Sequence, residues 1–132
     1  MIGVDTNVLL RLLMVDDPLQ NRMAVSFFAK RSPEDPAHVS LVVLAEFAWV
    51  LVKKYKLAYP KVATAIRAML DSSDFVIDRR DVVEWALDRY TRSKVDFSDL
   101  LIVEANRSAG CSSTVTFDRD AARFVPGMEL LK

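Results

Sequence analysis

Four short strand candidates punctuate the chain, and they limit it to few folds. They are Met1-Ile2-Gly3-Val4, Ala37-His38-Val39, Phe75-Val76-Ile77 and Ser113 to Phe117. Each is long enough for a brief strand, and amphipathic helical stretches separate them. Strands so connected cannot pair as tight hairpins, because a parallel pair needs a long crossover, usually a helix. The pattern therefore predicts an α/β protein with a parallel sheet and helices on both faces. Met128 to Leu131 is a possible fifth, edge strand after the Pro126-Gly127 turn.

The helix signals agree. Asp5 or Thr6 can cap a helix through Val8, Leu9, Leu12 and Leu13. Asp17-Pro18 starts a second, with Leu19, Met23 and Phe27 along one face at spacing four. Ser40 caps a long helix over 41–56 that is apolar nearly all round, so it is expected to be buried centrally. Lys53, Lys54 and Lys56 close it, where they suit the helix dipole. Pro60 opens a helix that buries Val62, Ile66, Met69 and Leu70, and the helix from about Arg80 to Arg92 buries Val83, Ala86, Leu87 and Tyr90. Asp96-Phe97-Ser98-Asp99 opens the next, with Gly110 as its C′ residue, and Asp118 caps a short last one.

With 132 residues and no linker or repeat, residues 1–132 read as a single domain. The 52% apolar content is high for that size and points to surface shared with a partner. The apolar early helices, with Leu9, Leu12, Leu13, Phe27 and Phe28, are where that surface is expected. Net charge is zero, so any nucleic-acid affinity must come from local basic clusters. One cysteine, Cys111, precludes an internal disulfide and fits a reducing cytoplasm, and one histidine, His38, leaves no His/Cys zinc site. Glu46 interrupts the longest apolar stretch, so no membrane span is expected.

Four carboxylates draw attention. Asp5 and Asp118 fall just past strand ends, where open parallel sheets bind ligands. Asp99 lies in the first turn of a helix, and Glu46 lies within the apolar stretch Leu41 to Val52. Each of the three aspartates has a plain structural alternative, as a helix cap or a dipole partner. Buried, Glu46 would need a cation or a partner such as an arginine. Converged on one cleft, the four would repel, and a divalent cation relieves that conflict. Oxygen-only ligands suit Mg²⁺ or Mn²⁺, as one ion or two, and phosphoryl-transfer chemistry. Thr6, Asn7 and Thr116 could support the carboxylates. Asp96 reads as a cap or a ligand, and Asp120 as a solvated first-turn acid. Arg11 and Arg119 stand beside the first and last acidic positions and are candidate RNA contacts.

At these residues the chain resembles the PIN-domain ribonucleases. Val4-Asp5-Thr6-Asn7-Val8-Leu9-Leu10 is similar to their opening strand and turn. Ser40 through Glu46 to Leu51 resembles the central helix with its glutamate. Asp96-Phe97-Ser98-Asp99-Leu100-Leu101-Ile102 and Thr116-Phe117-Asp118-Arg119-Asp120 resemble the third and fourth acidic motifs. The length is similar to that of VapC-type toxins of toxin–antitoxin pairs. The resemblance implies an α/β/α sandwich with a central parallel sheet of four to five strands. It implies that Asp5, Glu46, Asp99 and Asp118 bind Mg²⁺ or Mn²⁺ and are catalytic. It further implies endonucleolytic cleavage of RNA, often tRNA or rRNA, leaving a 5′-phosphate and a 3′-hydroxyl. The partners would be an antitoxin protein and a second copy in a homodimer.

The alternative is a non-catalytic RNA- or protein-binding module of the same fold, with the acids acting as caps. An aspartyl-phosphate phosphatase would want a second aspartate two residues after Asp5, where Asn7 stands. A receiver domain would want a paired acid near the first strand, and Asp16-Asp17 come too late.

Overall fold

A computed structural model describes all 132 residues. The chain divides into two compact units, Met1–Arg79 and Arg80–Lys132.

The first unit is two consecutive parallel crossovers. Strand β1 (Ile2–Gly3) leads through helices α1 (Thr6–Leu13) and α2 (Pro18–Ala29) to β2 (Ala37–Val39). Helices α3 (Leu41–Lys53) and α4 (Tyr59–Asp71) then lead to β3 (Phe75–Ile77). The strands form one parallel sheet, order β1-β2-β3, with Gly3 opposite His38 and His38 opposite Val76. Caps foreseen in the sequence are present. Asp17 accepts from the Gln20 amide at 3.0 Å and Ser40 from that of Val43 at 3.2 Å. Leu9, Val39, Leu44, Leu51, Val62 and Ile66 are almost wholly buried and form this unit's core.

The second unit carries α5 (Arg80–Arg92), α6 (Phe97–Ser108), β4 (Thr114–Thr116), α7 (Arg119–Phe124) and β5 (Met128–Leu130). Helices α5 and α6 pack through Val83, Leu87, Leu100 and Leu101, with the Tyr90 and Phe97 rings edge to face at 5.4 Å. Strands β4 and β5 pair in parallel, Thr114 opposite Met128. Gly110, at φ +98°, follows α6 as its C′ residue.

All five foreseen strands form and every pairing is parallel, but they make a three-stranded and a two-stranded ladder instead of one sheet. Strands of two or three residues offer few rungs each, so hydrophobic pattern alone does not say which edges join. Helix α3 ends at Lys53, short of Lys56, which takes a left-handed φ of +55° and lets the Leu57 amide return to the Leu51 carbonyl.

The expectation that α3 is buried all round, and Glu46 with it, is corrected. Leu44, Phe47, Ala48 and Leu51 share its buried face. Val42, Glu46 and Trp49 fall roughly half a turn away, because residues advance about 100° each, and all three are exposed. An unbroken apolar run does not show which face turns inward. Likewise Leu19 and Met23 on α2 are exposed, while Ala24 is the buried residue of that helix. Leu9, expected on a shared surface, is core. No helix is long and apolar enough to cross a membrane.

Candidate functional site

In the first unit, strand β1 delivers Asp5 to the C-terminal rim of the sheet. The Val4 amide donates to the His38 carbonyl at 3.1 Å and fixes the strand's end. The chain then turns into α1 with Asp5 as N-cap, its Oδ1 accepting from the Thr6 amide at 2.7 Å. Asp5 and Asn7 are exposed, whereas Thr6 is buried at 4% exposure and braces the turn from beneath. A groove of about 430 Å³ adjoins Asp5, lined among others by Asn7, Val8, Arg11, Met23 and Phe27. Of the exposed apolar residues of α2, Met23 lines this groove.

Arg11, expected to meet phosphate, is committed within the protein. Its Nε donates to Gln20 Oε1 at 2.8 Å, and its Nη1 to Asp16 Oδ1 at 2.9 Å and to the Tyr55 hydroxyl at 3.2 Å. The Tyr55 hydroxyl in turn donates to Asp16 Oδ2 at 2.7 Å. That bond, followed by a hydrogen bond from the Asp16 backbone and then the Arg11 charge, holds the Asp16 carboxyl below its ordinary value. The Tyr55 bond likewise raises Arg11.

In the second unit, Asp96 is the N-cap of α6, its Oδ1 accepting from the Ser98 amide at 2.8 Å. The cap reading of Asp96 is thus realised. Asp99 lies one residue further into the first turn, half-buried, where the helix dipole favours a carboxylate. Asp118 is the N-cap of α7, accepting from the Ala121 amide at 3.0 Å, and Thr116 Oγ1 accepts from the Asp118 amide at 3.0 Å. Thr116 therefore holds the Asp118 backbone amide, not its carboxylate. Asp118, Arg119 and Asp120 are exposed.

Sequence reasoning passed over two acids. Asp78 directly follows β3, and its amide donates to the Val39 carbonyl at 2.9 Å. It thus extends the same strand-end rim as Asp5, and its place after Phe75-Val76-Ile77 was signal enough. Glu104 is the most buried carboxylate at 5% exposure, held by Arg107 Nε at 2.8 Å and Nη2 at 2.6 Å. The i,i+3 acid–base spacing on α6 signalled that pair. Glu104 has the buried, arginine-paired environment that the sequence suggested as one possibility for Glu46.

The donor set was tested against a divalent metal. Its chemistry fits a hard cation, since every candidate offers a carboxylate, hydroxyl or amide oxygen. The geometry within the units is incomplete: neither unit alone brings three carboxylate, imidazole or thiol side chains within reach of one ion. Asp5 and Glu46 belong to the first unit, and Asp96, Asp99, Asp118 and Asp120 to the second.

Strand-end carboxylates on parallel crossovers define an α/β protein with an acidic rim, and comparison with known sequences gives it a family. The PIN domain pattern matches residues 2–125, so the chain belongs to the PIN-domain family. Among solved structures, the chain is similar to the Mycobacterium tuberculosis toxin VapC20, described as cleaving the sarcin-ricin loop. Identity is 21%, covering 95% of this chain and 97% of that one, with a TM-score of 0.45. No curated protein sequence matches the chain.

Proposed function

We propose that the chain is a divalent-metal-dependent endoribonuclease of the VapC type, the toxin of a toxin–antitoxin pair, with tRNA or rRNA as its substrate. One observation carries this reading: the PIN-domain match spans residues 2–125 and takes in Asp5, Glu46, Asp99 and Asp118 together. That span also crosses the boundary at Arg79, which supports reading residues 1–132 as one functional domain. The protein would act in the cytoplasm as a homodimer. The groove beside Asp5, with Val8, Met23 and Phe27 on its walls, offers an antitoxin segment an apolar seat.

The four carboxylates would hold Mg²⁺ or Mn²⁺. When bound, the ion supplies Lewis-acid polarisation of the phosphoryl oxygen. The residues themselves position and compensate charge. Asp5 and Asp118 each use one carboxylate oxygen on a backbone amide, which orients the other outward. Thr116 steadies Asp118, and Thr6 and Asn7 hold the turn that carries Asp5. The imidazole of His38 sits in β2, outside the acidic motifs, and is assigned no role as a general base. Proton removal from the attacking water therefore falls to a carboxylate.

A second reading, an RNA-binding module without catalysis, has one observation in its favour: neither unit assembles three metal-binding side chains by itself. Cleavage of a total RNA pool, with fragment ends sequenced, separates the two. Wild type and Asp5→Asn would be compared in Mn²⁺ and in chelator. Discrete cuts from metal-loaded wild type alone are expected. Cutting that persists in the variant or in chelator would refute the metal-carboxylate assignment, and the absence of cuts from loaded wild type would favour the module.

A further inference from the structure

We propose that the groove between α7 and β5 is a binding track for single-stranded RNA, with arginines on the phosphates and two exposed phenylalanine rings stacking on bases. The inference rests on the ribonuclease reading and adds to it a substrate subsite within the second unit.

The groove has a volume of about 650 Å³. Arg119, Arg123 and Lys132 line it, with Glu129 as the one acidic side chain among the lining residues. Arg119 and Arg123 are four residues apart on α7, so both guanidinium groups leave the same side of the helix. Asp118 and Asp120 do not line the groove, and Phe117 and Phe124 lie outside its lining, Phe124 joined to it through Arg123. A chain with no net charge has no long-range field for RNA, so a local concentration of cations must supply phosphate affinity.

The aromatic component is independent of the charges. Phe117 is 79% exposed and Phe124 54% exposed, in a segment whose core is already supplied by Ala121, Val125 and Met128. Burial within the unit does not explain either ring. The Arg123 guanidinium carbon lies 5.0 Å from the centre of the Phe124 ring, so cation and ring form one composite face. Phenylalanine and arginine also occur in protein interfaces, but Lys132 and Glu129 are of types depleted there. Exposed rings among arginines suit unstacked bases joined by phosphates. Phe117 also precedes Asp118 directly, so a base stacked there would register the strand next to a proposed catalytic carboxylate.

The test is fluorescence anisotropy with a labelled oligouridylate and the full chain, in chelator so that nothing is cut, over a salt series. Arg123→Ala should weaken binding and reduce the slope of log affinity against log salt by about 0.7, the loss of one phosphate contact. Phe117→Ala should weaken binding roughly tenfold with the slope unchanged. Arg123→Lys should keep the slope and Phe117→Tyr the affinity, which separates these effects from misfolding. Arg67→Ala, on exposed α4 surface, serves as the control and should bind like wild type. Wild-type affinity in both alanine variants would overturn the subsite, as would an oligonucleotide that does not bind wild type, including the case where the rings instead seat a protein. Cleavage assays are read separately. A wild type that cuts RNA with unaltered KM in the two alanine variants would keep the nuclease and discard the track. Variant-sensitive binding without any cleavage would keep the track and discard the nuclease.

Discussion

Gly127 is the position where a single methyl group should do most harm for its size. It has φ +95°, a left-handed conformation. A Cβ added there would lie 2.9 Å from Val103 Cγ1, closer than real Cβ atoms approach. Val103 is buried on α6 and its branched side chain has little freedom to retreat. The backbone term alone is about 1–2 kcal/mol, and overpacking adds about 1–3 kcal/mol. Gly110 separates the two, because it has nearly the same φ, +98°, and nothing within 4 Å of its added Cβ. Gly110→Ala should therefore lose the backbone term only, and Gly127→Ala both. Urea unfolding midpoints of the two variants against wild type measure the difference. The damage should reach the site side of the unit as well. The Gly127 carbonyl accepts the Thr114 amide at 2.9 Å, and β4 leads directly to Thr116 and Asp118. Equal destabilisation by the two substitutions would refute the steric argument.

Two further outcomes follow from the same geometry. Ser40→Ala should cost about 1 kcal/mol by removing the cap of α3, and Ser40→Gly only a few tenths, as read from thermal unfolding. Asp16 is held below its ordinary pKa first by Tyr55, then by a backbone hydrogen bond and the Arg11 charge, so it stabilises the fold above the unfolded carboxylate pKa and loses that contribution as pH falls through its lower folded value. The stability gap between wild type and Asp16→Asn should accordingly be constant at neutral pH and shrink under acid, in unfolding curves across that range. A gap that grows under acid would contradict this sign.

Local features of the chain were readable because they depend on neighbours in sequence. Asp5, Asp17, Ser40, Asp96 and Asp118 cap their helices as their positions foretold, since a cap needs only a side-chain oxygen within three residues of a free amide. The alternation of short strands and helices likewise led to parallel pairing, and the resemblance of the acidic motifs led to the PIN-domain family. The tertiary structure alone decided which face of each element turned inward. Glu46 and Glu104 both sit amid apolar residues in sequence, yet Glu46 is exposed and Glu104 is buried on Arg107. Arg11 could be placed beside Asp5 from sequence, but its commitment to Gln20, Asp16 and Tyr55 depends on contacts up to 44 residues away. Caps and strand pattern are short-range, so sequence determines them. Burial and side-chain partners depend on which elements pack together, and only the folded chain settles that.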